Sequence, residues 1–405
     1  MTDANEARHA RGISRRRLLG VSGAVGLSAV LLSPGRAMAQ STASGSGPLP
    51  QALGVLGADF NQDLASVDVR QLKAAGSNWV RGFYPVTNAD NGDMADDPNI
   101  QAILAVAKQG YGTVLTLKFP YSNTPMPAPG TPAMAAALAE LDKILPAVMG
   151  QVDILEIGNE PYNESRAQDK GTPLNVFYEA VAQYVIAYRQ AHGGSGSKTR
   201  LYMGALNRLD LAARQTPGTA RWMAFAAQTP EIDGVDIHPH VPSADAVQPF
   251  LDYILPKMRA DQTFLVTEFS LVWYWQAHLT DQISATWAAQ YGFDPASLVW
   301  QVIAASIANP FTQTQWNDFL SASPWFTSQK HFMTDQMKRF RGTGRLAVAT
   351  YGFQQDVPMT QNFNATKPPW VLNSIFDTYT VQTQPNGLPG HNDVWYESFR
   401  DLQHS

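Results

Sequence analysis

The stretch Leu155-Glu156-Ile157-Gly158-Asn159-Glu160-Pro161 decides how this chain is read. Successive residues of an extended strand point to opposite faces, so Glu156, Gly158 and Glu160 share one side, Leu155 and Ile157 take the other, and Pro161 ends the run. A second stretch, Phe264-Leu265-Val266-Thr267-Glu268-Phe269, has the same form, an apolar run closed by a glutamate. Such short runs recur at 53–58, 78–83, 112–119, 152–159, 201–205, 235–240, 263–268 and 346–351, and segments of helical period lie between them, as at 131–149, 173–192 and 244–258. Strands that alternate with helices argue for parallel pairing through crossover connections. Eight strands close a barrel, so the expected fold is α/β, a single-domain (β/α)8 TIM barrel over 51–405.

The 405 residues are 44% hydrophobic and 16% charged, a balance that permits a large core and disfavours disorder. The first residues depart from that average. Ser14-Arg15-Arg16-Arg17-Leu18-Leu19 precedes an apolar stretch at 21–32 and then Ala37-Met38-Ala39. These are the three parts of a secretory leader, and the consecutive arginines resemble the twin-arginine type. Ser22, Gly23, Gly26 and Ser28 interrupt the apolar stretch, which suits a membrane anchor poorly, since a span needs roughly 20 apolar residues. Residues 1–39 are therefore expected to be cleaved on export to a periplasmic or extracellular location, with no membrane partner afterwards. Residues 40–50, rich in Ser, Gly and Ala, are expected to form a disordered tether. The leader carries six Arg against one Asp and one Glu, so its loss moves the formal charge from −5 to about −9. That balance speaks against a nucleic-acid partner. Cysteine is absent, which excludes disulfides and thiolate metal sites.

About 75 residues separate Glu268 from the eighth candidate strand, among them Trp273, Trp275, Trp287, Trp300, Trp316 and Trp325. A connection of this length is usually an elaborated functional loop. The insertion is expected at about 270–344, with its helical middle, 284–309, as the seventh barrel helix and the remainder above the barrel mouth. In a barrel of this kind, side chains from different strands converge at the C-terminal strand ends. Glu160 and Glu268 both stand at such ends. Cleaving a glycosidic bond with retention needs one carboxylic acid to protonate the leaving oxygen and one carboxylate to attack the anomeric carbon, about 5 Å apart. A lone glutamate reads more readily as a surface or salt-bridged group; two that end separate strands of one barrel point to the pair.

These residues resemble the pattern of clan A of the glycoside hydrolases, which places an Asn-Glu pair after strand four and a second Glu after strand seven. The likeness extends to Arg81 in Trp79-Val80-Arg81-Gly82-Phe83 and to His238-Pro239-His240, similar to the clan's His-Pro-Tyr element, and runs in order through roughly 53–355. It implies Glu160 as general acid/base, Glu268 as nucleophile, Asn159 as donor to the sugar 2-hydroxyl and Arg81 as the group that holds Glu268 ionised. A guanidinium lowers a neighbouring carboxylate while desolvation raises one, which would split the two glutamates into separate roles. His240 is a departure, standing where clan members often have a tyrosine that donates to the nucleophile; a neutral imidazole can also donate from one nitrogen. The resemblance implies a retaining β-glycoside hydrolase acting on a β-linked polysaccharide or oligosaccharide by double displacement, monomeric and without a cofactor.

Asp236, His238 and His240 alternate along one strand and face one side. The two histidines could instead hold a metal. No further histidine ends another strand, since His331 and His391 lie in loops or near the end, so hydrogen-bonding roles are expected and no metal. Glu156 should lie deeper in the barrel, and a buried carboxylate must be paired; Lys118 on the neighbouring strand is its expected partner. Trp273 and Trp275, which follow strand seven, and Tyr351, which ends strand eight, join Asn159, Arg81, His238 and His240 as candidate substrate contacts. Trp222, Trp370 and Trp395 are expected to pack. Competing readings are a transglycosylase using the same glutamates, a carbohydrate-binding barrel without catalysis, which would need neither acid nor nucleophile, and a metal-dependent hydrolase.

Overall fold

The computed structural model describes residues 54–60, 64–192 and 198–404; the expected leader and tether lie outside them. Eight strands, β1 (Val55–Phe60), β2 (Trp79–Pro85), β3 (Gly112–Lys118), β4 (Ile154–Ile157), β5 (Arg200–Asn207), β6 (Gly234–His238), β7 (Thr263–Val266) and β8 (Leu346–Gln354), pair in parallel in sequence order, and β8 closes on β1. The expected (β/α)8 barrel is the observed one. Strands β4, β6 and β7 are buried at every position, as strands with helices on one face and a packed lumen on the other must be.

The helices Val69–Ala75, Pro98–Lys108, Pro132–Val148, Thr172–His192, Pro217–Gln228, Gln248–Ile254, Phe332–Gly342 and Asp393–Leu402 follow strands one to eight. Several starts are written in the sequence as a capping residue before proline. Asp97 accepts from the backbone N–H of Asn99 and Ile100, Thr131 from that of Met134, and Thr216 and Thr219 exchange bonds as a capping box. Each such cap contributes about 1 kcal/mol, and the proline that follows gives up no intrahelical bond at that position. Among the described residues, no helix is long and apolar enough to cross a membrane.

The seventh barrel helix is Phe332–Gly342, not 284–309. Phe340 packs edge-on against Phe264 of β7 and against Phe269 just beyond it. Helices Ala285–Tyr291 and Val299–Ala308 belong to the insertion, where Trp287 gathers Phe293, Phe311 and Phe319 around it. Helical period reports that one face is buried but not what buries it, so it does not distinguish a helix of the barrel from one of the insertion.

The lumen is layered. Val114, Ile154, Tyr202, Leu265 and Val348 form an apolar cluster of their own, with Trp79 packed against it. Further along the strands the chemistry changes: Arg81, Thr116, Glu156, Asp236, His238, Thr267 and Thr350 are buried there, together with Asp59 of β1. Strand β5 shifts register between Met203 and Leu206. One extra residue in a strand exchanges its inward and outward faces beyond that point, so Asn207, opposite His238, turns toward the lumen.

Candidate active site

Strand β4 ends at Ile157 and the chain turns at once. Gly158 has φ 96° and Glu160 φ 38°, both in the left-handed region that costs a residue with a Cβ about 1–2 kcal/mol. At Gly158 a side chain is also sterically excluded, because a Cβ there would lie 2.6 Å from the Tyr178 ring. The carbonyl oxygen of Gly158 fills the place of a side chain on Gly204 of β5, 1.7 Å from where its Cβ would stand. Backbone N–H groups of Asn163 and Glu164 bond the Glu160 carbonyl at 2.7 and 2.9 Å and fix the turn. The Glu160 carboxylate then projects into a pocket of about 470 Å³ at the barrel mouth, where Asn163 Nδ2 donates to its Oε2 at 2.9 Å. Backbone strain of this kind collects at functional sites.

Glu268 enters the same pocket from the end of β7. Beneath it lies Arg81, fully buried, whose Nη1 donates to Glu268 Oε1 at 2.7 Å and to Asp59 Oδ1 at 2.9 Å. Its Nη2 donates to Asn159 Oδ1 at 2.8 Å, and Asn159 Nδ2 donates to Glu164 Oε1 at 2.9 Å, which fixes the orientation of the Asn159 amide. Burial would raise the Glu268 carboxyl, but the charges of His238 and Arg81 outweigh it and hold it well below the ordinary range. Asp59 goes the other way: burial dominates over Arg81 and pushes it up to about 7.

Two imidazoles lie between the glutamates. His238 Nδ1 is 3.2 Å from Glu160 Oε1 and 3.7 Å from Glu268 Oε1, and His240 Nε2 is 3.9 Å from Glu160 Oε1 and 3.3 Å from Glu268 Oε2. The other nitrogen of His240 meets Ser270 Oγ at 2.8 Å, and that oxygen accepts from the Val272 N–H. With Ser270 donating to Nδ1, a neutral ring presents its Nε2–H toward Glu268. His238 is fully buried. Burial opposes its charge, yet Glu268 and Asp236 raise its pKa well above the usual histidine value. As an imidazolium it donates from Nδ1 to Glu160 and from Nε2 to Thr267 Oγ1 at 2.8 Å, with Asp236 Oδ2 3.2 Å away.

That protonation state bears on Glu160. Burial would raise its carboxyl, but the hydrogen bond and charge of His238 bring it below the ordinary value. The expected split, one glutamate lowered and one raised, is thus not found: both are lowered, Glu268 further. One layer down, Glu156 does rise well above the usual range, by burial and then by the charge of Asp236. Thr116 Oγ1 donates to it at 2.5 Å. Lys118, its expected partner, instead pairs with Glu164 at 2.8 Å, since its side chain reaches up to the mouth rather than down.

Among the described residues, two sets of donor atoms are close enough to hold a metal: Glu160 with His238 and His240, and Glu156 with Asp236 and His238, each within 4.8 Å of one another. His238 belongs to both. The pKa values of His238 and Glu156 are both raised, so a metal at either set would have to displace a proton from its ligands.

Around this centre the pocket is lined by Asn159, His240, Trp273 and Trp370. Trp370 is drawn from the segment after β8, where its ring stands edge-on to His240 at 4.9 Å and to Trp273 at 6.5 Å; the expectation that it only packs does not hold. Four of the candidate substrate contacts do not face the pocket. Arg81 and His238 lie beneath its floor and act on the glutamates. Trp275 is fully buried, donating from Nε1 to Asn373 Oδ1 at 2.9 Å among Trp325, Phe326 and Trp395. Tyr351 is the fourth. It lies on the outward face of β8, against Phe269 and Trp395, because its neighbours Thr350 and Gly352 take the inward positions.

No family model matches the chain, and no curated protein matches it. Among solved structures, the chain is similar to a xylanase from Bispora sp. MEY-1 with xylobiose, at 12% identity over 86% of this chain and 96% of that one, TM-score 0.47. It is also similar to a thermostable mutant of a xylanase from Cellvibrio japonicus, at 14% over 86% and 97%, TM-score 0.48. A mannanase catalytic domain from Streptomyces sp. SirexAA-E gives 14% over 87% and 86%, TM-score 0.47. At this level of likeness the chemistry rests on the side chains described above.

Several pocket residues escaped the sequence reading. Lys118, expected only as the partner of Glu156, lines the pocket, as does Glu164, which follows Glu160 in the same tight turn; Asp59 lies beneath it against Arg81. Asn207, Arg208, Arg214 and Met359 also line the pocket. Asn207 was hidden by the bulge, and the other three lie in connections with no period to read.

Proposed function

We propose that this chain is an exported retaining β-glycoside hydrolase, with Glu268 as nucleophile and Glu160 as general acid/base. The observation that carries the reading is the convergence of these two carboxylates on the same pair of imidazoles at the pocket floor. Legs of 3.2 and 3.7 Å meet at His238 Nδ1. This supports a separation toward the retaining end of the range, about 5 Å, rather than the inverting span of about 6.5–9.5 Å.

In the first step Glu268, ionised and aimed by Arg81 and His240, attacks the anomeric carbon while the leaving oxygen takes a proton from Glu160. The resting Glu160 is ionised, but a proton stands beside it on His238 Nδ1. Glu160 and His238 hold one proton between them, and when a sugar displaces water from the pocket, that proton passes to Glu160 and on to the glycosidic oxygen. Neutralising Glu268 as a glycosyl ester also removes a charge that held His238 protonated, which favours the transfer. In the second step Glu160 takes a proton from water, the hydroxide displaces Glu268, and the proton returns to the pair. Asn159, its oxygen held by Arg81, keeps one amide hydrogen for a sugar hydroxyl.

The test is turnover of aryl β-glycosides and β-linked polysaccharides by wild type, Glu160→Ala and Glu268→Ala. Cleavage by the wild type, a loss of about 10²–10⁴-fold in each variant, and azide rescue of one variant on an activated glycoside are expected. Wild-type rates in both variants would sink the assignment. A transglycosylase would show the same losses but transfer the sugar to another sugar, which product analysis separates. The export reading rests on residues 1–39; Lys in place of Arg15 and Arg16 is expected to leave uncleaved precursor in the cytoplasm.

A further inference from the structure

A side cavity of about 240 Å³ adjoins the catalytic pocket and shares Asn207 and Arg214 with its wall. Among the described residues, its lining holds two cations, Lys170 and Arg214, and no carboxylate. That is unusual in a chain with net charge −5 and contrasts with the neighbouring cations: Lys118 is paired with Glu164, and Arg208 with Asp210 at 3.0 Å. Neither Arg214 nor Lys170 has an ion-pair partner among the described residues. The ammonium of Lys170 is lowered from its ordinary pKa, by burial first and then by the charge of Arg214, so two like charges face one space without a counter-ion.

Asn207 adds an independent observation. It is only 5% exposed, and neither its amide nitrogen nor its amide oxygen has a hydrogen-bond partner among the described residues. Leaving such a group unsatisfied costs about 1–3 kcal/mol, and folding alone gives no reason to keep it. The β5 bulge turns this side chain inward at the junction of the two cavities.

We propose that the side cavity is a subsite for the carboxylate of a uronic-acid residue in the glycan, gripped by Arg214 and hydrogen-bonded by Asn207. A guanidinium presents a planar fork that matches two carboxylate oxygens, and an amide can both donate to a carboxylate oxygen and accept from an adjacent sugar hydroxyl. A neutral hydroxymethyl group in the same place would leave both cations uncompensated. The inference rests on the glycosidase reading and narrows its substrate to acidic β-linked glycans.

Binding separates the two, because it needs no turnover. Acidic oligosaccharides from glucuronoxylan and from polymannuronate, each with its carboxyl-reduced counterpart, are titrated calorimetrically into full-length protein carrying Glu160→Gln, alone and combined with Arg214→Met or Asn207→Ala. The expected result is at least one acidic probe that binds tenfold or more tighter than its reduced counterpart. Arg214→Met should erase that preference, and Asn207→Ala should weaken both members of the pair. Equal affinity within every pair, or a preference that survives Arg214→Met, overturns the subsite while leaving the glycosidase reading intact. Binding of no probe at all overturns the subsite and, with a failed turnover panel, the reading beneath it.

Discussion

Arg81 Nη1 lies 2.7 Å from Glu268 Oε1 and is completely shut off from solvent. The same guanidinium also holds Asp59 and the Asn159 oxygen, so one buried cation sets the charge of the proposed nucleophile and the orientation of a proposed sugar contact. Arg81→Met should therefore act on both pH dependence and folding. Without the cation the Glu268 carboxyl rises, and the acid limb of kcat/KM should move to higher pH by about 1–3 units. Removing one member of a buried charge group costs about 3–5 kcal/mol, readable as a lowered midpoint in urea. An unmoved acid limb in folded variant protein would contradict the electrostatic role.

His238 tests the shared proton. Its pKa is raised in the folded state, so its contribution to stability is fully present below the unfolded histidine value of about 6.5 and is lost as pH rises through the folded value. Glu268 has the opposite sign: its pKa is depressed, so its contribution is present above the unfolded carboxylate value and is lost as pH falls through the folded one. In His238→Gln the stability difference from wild type should be largest in mild acid and shrink toward alkaline pH. The alkaline limb of activity should move down, because Glu160 alone must then keep the proton. Thermal melts and rate profiles over pH check both statements.

Trp273 and Trp275 are two residues apart and alike in composition, yet the structure separates them. Trp275→Ala should destabilise the fold by about 3–5 kcal/mol, with activity lost only through unfolding. Trp273→Ala should leave the melting temperature nearly unchanged and raise KM. Trp370→Ala should behave like Trp273→Ala. Equal effects of the two neighbouring substitutions on stability would contradict the assignment.

Tyr351 gives a prediction of opposite sign. Its hydroxyl is buried with no hydrogen-bond partner among the described residues, and the ring faces the helical layer. Tyr351→Phe removes an unsatisfied group without changing the packing shape, so it should be neutral or stabilising by up to about 1 kcal/mol, with kcat and KM unchanged. A rise in KM would return this residue to the pocket.

Prolonged dialysis against a chelator should leave turnover at its starting value. The basis is His238, which belongs to both candidate ligand sets and whose raised pKa a metal would have to overcome. Loss of activity restored by a divalent ion would favour the metal-dependent reading.

The barrel was legible because each strand carries its own punctuation: an apolar run of four to eight residues, then a break, then helical period. Glu160 and Glu268 could be brought together from sequence because each ends such a run. What stayed hidden lay wherever period fails. The β5 bulge reverses the faces just before Asn207, and the segments that deliver Arg214, Met359 and Trp370 are connections whose course depends on long-range packing. Tyr351 shows the converse: counting alternate residues from Thr350 would have placed it outside the lumen.

The left-handed backbone at Glu160 makes folding and chemistry competing demands on a single position. Glycine or asparagine accepts φ 38° at lower conformational cost than glutamate. A library of this chain selected only for survival of heating should drift away from glutamate at 160, while one selected for released sugar should hold it against that drift. The divergence of the two populations at one codon would reveal how much stability the fold gives up to aim a single carboxylate.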